Sequence, residues 1–338
     1  MKKTLLLIFL AIKVSLIFAQ VPLIVEGVAV KSMETGEWMG YNVQRNVTTA
    51  FTFRNNSITS KNAYGYMLQA GDEGITIVNN NLDGEIITGN MFIWNGTDMT
   101  SITHGLFTGY NLNAIIKYNY LDRVPMGIIR KSNGMTDVSG AVAYNIIKNP
   151  ISTGLVVKGM NNVRIFNNTF YSNQGTYDGP GMGTWRGLVE IYANDNFSPA
   201  IPSTGVKIKN NIFYTKYQIA NIHIYEKEDL PGFESDYNIF FCEAGTPMFN
   251  YLGVDKTFAQ WQALGYDRHS VIINPNFKNL VDFVPATRLD YGTNLGTKWK
   301  TGLSTTSTWT LGVSPETEDQ NGTWQVGAHI YNASTANP

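Results

Sequence analysis

The sequence predicts an all-β fold wound as a solenoid of parallel strands, a parallel β-helix closed by a C-terminal cap that contains one short helix. Three observations carry this. An asparagine followed two residues later by a large apolar residue recurs along the chain, at Asn56, Asn80, Asn119, Asn145, Asn168, Asn211 and Asn238. A short apolar strand opens ahead of each of them, at Gly40, Gly65, Gly105, Gly127, Gly154, Gly187 and Asn221. The segments between are β-rich and punctuated by Gly and Asn, with no helical period. A repeat of roughly 20–50 residues is too small to bury its own apolar face and must stack on its neighbours.

The ladder asparagines are expected to be structural. An Asn at a tight bend tolerates left-handed backbone angles, and its amide can bond local backbone. Stacked on the Asn of the next coil, it can satisfy amides inside the fold.

Taken in chain order, residues 1–19 read as a secretory signal peptide: two lysines, an apolar run and a small residue at Ala19. Gln20 in place of Cys excludes a lipid anchor at that cleavage point, so the expected location is secreted or periplasmic. The run is too short and wrongly flanked for a membrane span. Residues 20–249 then form the β-helix, with an N-terminal cap before the first coil at 40, because an uncapped solenoid exposes strand edges. Three stretches break the rhythm and are expected to be loops: 83–104, which takes Asn90 with it, 172–186 and 194–204. Residues 250–338 form the capping region and tail. Within them 255–265 reads as a helix, with Thr257 and Gln260 as a capping box, Phe258, Trp261 and Leu264 on one stripe, and Gly265 as the stop. Trp261, Trp299, Trp309 and Trp324 are expected to pack in this cap.

Composition narrows the function. Without Lys2, Lys3 and Lys13 the formal charge falls from −1 to −4, which argues against a nucleic-acid partner and its basic footprint. The single cysteine, Cys242, allows no intrachain disulfide and reads as a buried apolar filler. No cluster has convincing metal-ligand spacing. His104, His269 and His329 have no evident partners, and His269 reads as a cap residue.

The coils GLVVKGMNNVRIFNNTFY and GVKIKNNIFY resemble the right-handed parallel β-helix superfamily, the pectin-lyase-like fold. The closing segments WQALGYDRHSVIINPNF and VGAHIY are similar to the ends of secreted β-helix proteins of the Bacteroidota type. The resemblance implies a right-handed solenoid. It also implies a polysaccharide-directed activity, the superfamily including lyases, glycoside hydrolases, epimerases, esterases and non-catalytic proteins. The arginine motif and clustered aspartates of pectate lyases are missing, as is the motif series of the polygalacturonases. Lys158 sits in a context similar to the catalytic lysine of the alginate-lyase type. No carboxylate stands between Thr153 and Val157 to supply that family's calcium site, so the cofactor is open and calcium has no recognised ligands.

Alternate side chains of a strand share a face, and parallel coils stack about 4.8 Å apart. With the apolar residue after each opening glycine inside, Lys131 and Lys158 face outward. Glu190 and Tyr192 follow if their strand shifts by one residue, then His223 and Tyr225, with Glu226 beyond. The loop 172–186 can wall a groove with Tyr177, Asp178, Trp185 and Arg186, aromatic faces against sugar rings and arginine on a carboxylate. In a lyase on acidic glycans Lys158 neutralises the substrate carboxylate and His223 or Tyr225 removes the adjacent proton. A hydrolase needs two carboxylates, and Glu190 with Asp178 or Glu226 is the pairing available. The alternative is a non-catalytic glycan-binding or structural protein in which these residues are a solvated face, lysines there discouraging strand pairing. The oligomeric state leaves no signature.

Overall fold

The computed structural model describes residues 23–33, 39–43, 51–61, 66–70, 86–95, 104–109, 113–132, 139–175 and 187–332. The expected leader and Asn80 lie outside them. Among the described residues three long sheets dominate, with eight, nine and nine strands, and the chain visits them in rotation, so they are numbered first, second and third in that order. Val163–Phe166, Thr169–Ser172 and Gly187–Tyr192 make one circuit, one strand to each sheet. Lys207–Lys209, Ile212–Thr215 and Ala220–Ile224 make the next, each strand parallel to its predecessor. The arrangement is compatible with a parallel β-helix. Residues 23–33, expected as a cap ahead of the first coil, already supply strands to the first two sheets, at Leu23–Glu26 and Ala29–Met33.

The alternation of each strand fixes what lies inside. Leu155 and Val157, Val189 and Ile191, and Ile222 and Ile224 enter one core from the third sheet. Phe170, Phe213 and Phe240 stack from the second, with ring centroids 5.0 and 5.1 Å apart and interplanar angles of 4° and 13°. One inward position holds a charge: Arg130 is fully buried and donates from Nη2 to the Ser139 carbonyl at 2.8 Å. Gly140 makes room for it, since a Cβ there would stand 2.8 Å from that nitrogen.

The asparagine ladder runs along the corner between the first and second sheets, with all its members buried. Asn145 donates from Nδ2 to Asn168 Oδ1 at 3.0 Å and to the Ile116 carbonyl at 2.9 Å. Its own Oδ1 accepts from both the backbone and side-chain N–H of Asn119. Two expectations are corrected. Asn90 is a rung, bonded to Asn119 Oδ1 through its backbone and side chain, and 86–94 supplies strands to the first two sheets in place of an insertion. The left-handed residue is the one before each rung, among them Asn55, Tyr118, Tyr144, Asn167, Asn210 and Tyr237. That residue turns the corner, and the rung after it points inward. The 194–204 excursion is present, pinched at its base where Asn194 and Ile201 exchange backbone bonds.

The helix forms at Phe258–Ala263 with both halves of the Thr257–Gln260 capping box, and Gly265 follows at φ +102°. Trp261 is buried against Phe249, centroids 4.9 Å apart, whereas Leu264 is exposed and leaves the expected stripe. The chain after the helix reaches beyond the last circuits. The Val281 and Thr301 carbonyls accept from Tyr120 and Tyr118, and Gly312 N–H donates to the Asn55 carbonyl at 2.9 Å. This strap returns along the ladder corner to the first strands and carries its own small sheet of Thr301–Ser304, Thr317–Asp319 and His329–Ile330. Trp299 is buried under it, while Trp309 and Trp324 are half-buried. Cys242 is buried and unpaired in any disulfide. His269 contacts Asp236 at 2.7 Å near the helix. Among the described residues no helix is long and apolar enough to cross a membrane.

Candidate functional site

The outer face of the third sheet carries the expected residues in two rows. Pairing of Leu155 with Val189, and of Val189 with Ile222, supplies the one-residue shift the sequence called for. Val156, Glu190, His223 and Asn250 therefore form one outward row. Lys131, Lys158 and Tyr192 form the other, two residues further along, and Tyr225 follows directly after Ala220–Ile224.

Glu190 and His223 meet. Nδ1 of His223 lies 3.2 Å from Glu190 Oε2, a close contact whose alignment falls short of a hydrogen bond. The other carboxylate oxygen, Oε1, accepts the backbone N–H of Gly187, which anchors Glu190 to the start of its own strand. Both side chains are buried, where a carboxylate is costly unless paired. The His223 ring stacks on Tyr225, centroids 3.9 Å apart and 17° from parallel, and Tyr225 leans on Tyr192 at 5.3 Å. Asn250, next in the row, is committed to the following hairpin through Asp255 and Gly253.

Lys158 stands apart from that pair. Strand spacings place its Cα about 8 Å from that of Glu190. Its Nζ lies 4.8 Å from the Tyr192 ring centroid and 2.6 Å from Asp195 Oδ1. The ammonium holds the Asp195 carboxyl below its ordinary range, and Lys131 adds to the effect. Burial pushes the Tyr192 phenol well above its ordinary value, with the charges of Asp195 and Glu190 pushing the same way. Tyr192 therefore keeps its proton. Lys131 is half-buried and Glu226 exposed at the end of the row. Tyr177, Asp178, Trp185 and Arg186 lie outside the described residues, so the expected loop wall is not part of this geometry. No group of three or more potential metal ligands converges among the described residues.

Two carboxylates were not anticipated. Asp195 follows directly on the pinched base of the 194–204 excursion, and its only sequence signal is a charge just past a strand end. Asp229 is buried beside the same strand ends. Its Oδ1 accepts from Ser203 N–H at 2.7 Å, Ser203 Oγ in turn donates to the Tyr192 carbonyl, and Asp229 Oδ2 accepts no hydrogen bond of good geometry among the described residues. Burial pushes the Asp229 carboxyl up to about 7. In the sequence it sits in the run Lys227–Glu228–Asp229, which reads as a solvated turn.

No family model matches the chain, and no match is found among curated proteins or solved structures.

Proposed function

We propose that the chain is a right-handed parallel β-helix of the pectin-lyase-like kind, exported from the cell, and that the outer face of its third sheet cleaves an acidic polysaccharide by β-elimination. The observation that carries this reading is the juxtaposition of two rows: the buried Glu190–His223 pair, and the Lys131–Lys158–Tyr192 row closed by Tyr225. Lys158 neutralises the substrate carboxylate and so stabilises the negative charge that develops when the adjacent proton leaves. His223, held by Glu190 and stacked on Tyr225, accepts that proton. The electron pair then forms a double bond to the neighbouring ring carbon and expels the glycosidic oxygen that this carbon carries; the oxygen takes a proton from water, leaving an unsaturated uronate on one fragment.

The test incubates the protein lacking residues 1–19 with alginate, pectate, glycosaminoglycans and carrageenan, with and without calcium. Rising ultraviolet absorbance of the unsaturated product, lost in Lys158→Ala, supports elimination. New reducing ends without absorbance would move the assignment to hydrolysis. The burial of Glu190 and His223 favours a second reading, a glycan-binding face without turnover. Saturable binding with no new ends of either kind supports it and overturns the first.

A further inference from the structure

The Lys158–Asp195 pair is lopsided. The lysine side chain is only 13% exposed, fixed in the sheet and backed by the Tyr192 ring, whereas Asp195 is 72% exposed. Asn194 sets the start of the excursion: it exchanges backbone bonds with Ile201 and donates from Nδ2 to the Ser132 carbonyl at 2.7 Å. Asp195 is the next residue out. Lys131, in register with Lys158 on the neighbouring strand, adds a second positive charge to the same corner. The cations therefore belong to the rigid wall, and the carboxylate belongs to a projecting turn.

We propose that the Asp195 carboxylate occupies the position a substrate carboxylate takes, a built-in competitor for Lys158 that a ligand displaces only with a carboxylate of its own. This rests on the reading of Lys158 as the substrate-neutralising group. A carboxylate beside a pyranose ring satisfies both demands of the corner, an anion for Lys158 and an apolar ring face beside Tyr192. A neutral sugar offers nothing in exchange for the ion pair and leaves two separated charges to resolvate. The ligand class that follows is a uronic-acid oligosaccharide in its free acid form, with ester-masked or reduced chains excluded.

Isothermal titration with oligogalacturonate and oligomannuronate, each beside its carboxyl-reduced counterpart, tests this on the wild type, Asp195→Asn, Asp195→Ala and Lys158→Gln. Removing an exposed competing carboxylate is expected to tighten binding of the acidic oligomers roughly two- to five-fold. The reduced oligomers are expected to stay non-binding. If the wild type binds acidic oligomers through Lys158 but both Asp195 variants bind them no more tightly, Asp195 is a bystander and the Lys158 reading survives. If no variant binds any uronate, both fall. A gain for reduced oligomers equal to that for acidic ones also overturns the proposal, since Asp195 would then be a steric plug.

Discussion

Asn238 donates its side-chain amide to Asp267 Oδ1 at 2.8 Å, so a ladder of neutral amides ends on a carboxylate. That group is fully buried and also accepts from Ser235, Ser270 and the Trp261 indole N–H. Burial raises the Asp267 pKa, and these donors oppose the rise. One side chain thus ties the last rung to the helix that covers the core. Asp267→Ala strands several buried donors, each costing about 1–3 kcal/mol when unmet. The expected loss is about 4 kcal/mol or more in guanidinium unfolding, with Asp267→Asn closer to half of that. A loss under about 1 kcal/mol would mean that water reaches the end of the ladder.

Asn90 offers a sharper test, because sequence and structure disagree about it. As a rung it bonds Asn119 twice and the Phe53 carbonyl once. Asn90→Ala is then expected to cost about 2–4 kcal/mol, close to the cost of Asn145→Ala. In a surface insertion the change would stay within about 0.5 kcal/mol.

The disagreement shows what a sequence can carry. Ladder and core are legible because each rung is a local pattern, Asn-x-apolar, and because period-two burial sets the register. The meeting of Glu190 with His223 follows from that register alone. Asn90 is hard to place from the sequence because it follows the competing match at Asn80 by only ten residues, less than the repeat. The strap's path was hidden for a different reason. It is held largely through backbone carbonyls such as those of Val281, Thr293 and Thr301, and every residue type supplies one. Asp195 reaches Lys158 only through the course of an excursion, which no periodicity describes.

Glu190→Gln separates the chemistry from the scaffold. Gln keeps an oxygen for the Gly187 N–H, so the melting temperature is expected to stay near that of the wild type. What disappears is the negative charge beside His223. Under the proposed elimination, turnover is expected to fall about a hundredfold or more, with a changed pH profile and little change in oligosaccharide affinity. Equal turnover and an unchanged profile would remove His223 from the role of base.

Asp229 makes stability depend on pH, with a definite sign. Its carboxyl is pushed from an ordinary 3.8 to about 7, first by burial and then by Glu226 and Glu228. Between those values the unfolded chain has released a proton that the folded chain still holds. The contribution of Asp229 to stability is therefore fully present below the ordinary value, falls as pH rises through the window, and levels off above it. A difference of about three units corresponds to up to about 4 kcal/mol. Asp229→Asn keeps the acceptor for Ser203 N–H and removes the ionisation. Its stability relative to the wild type is expected to be near zero at about pH 3 and positive at about pH 8, read from guanidinium midpoints at each pH. A gain independent of pH would show instead that the carboxyl ionises in place, and that its second oxygen is solvated.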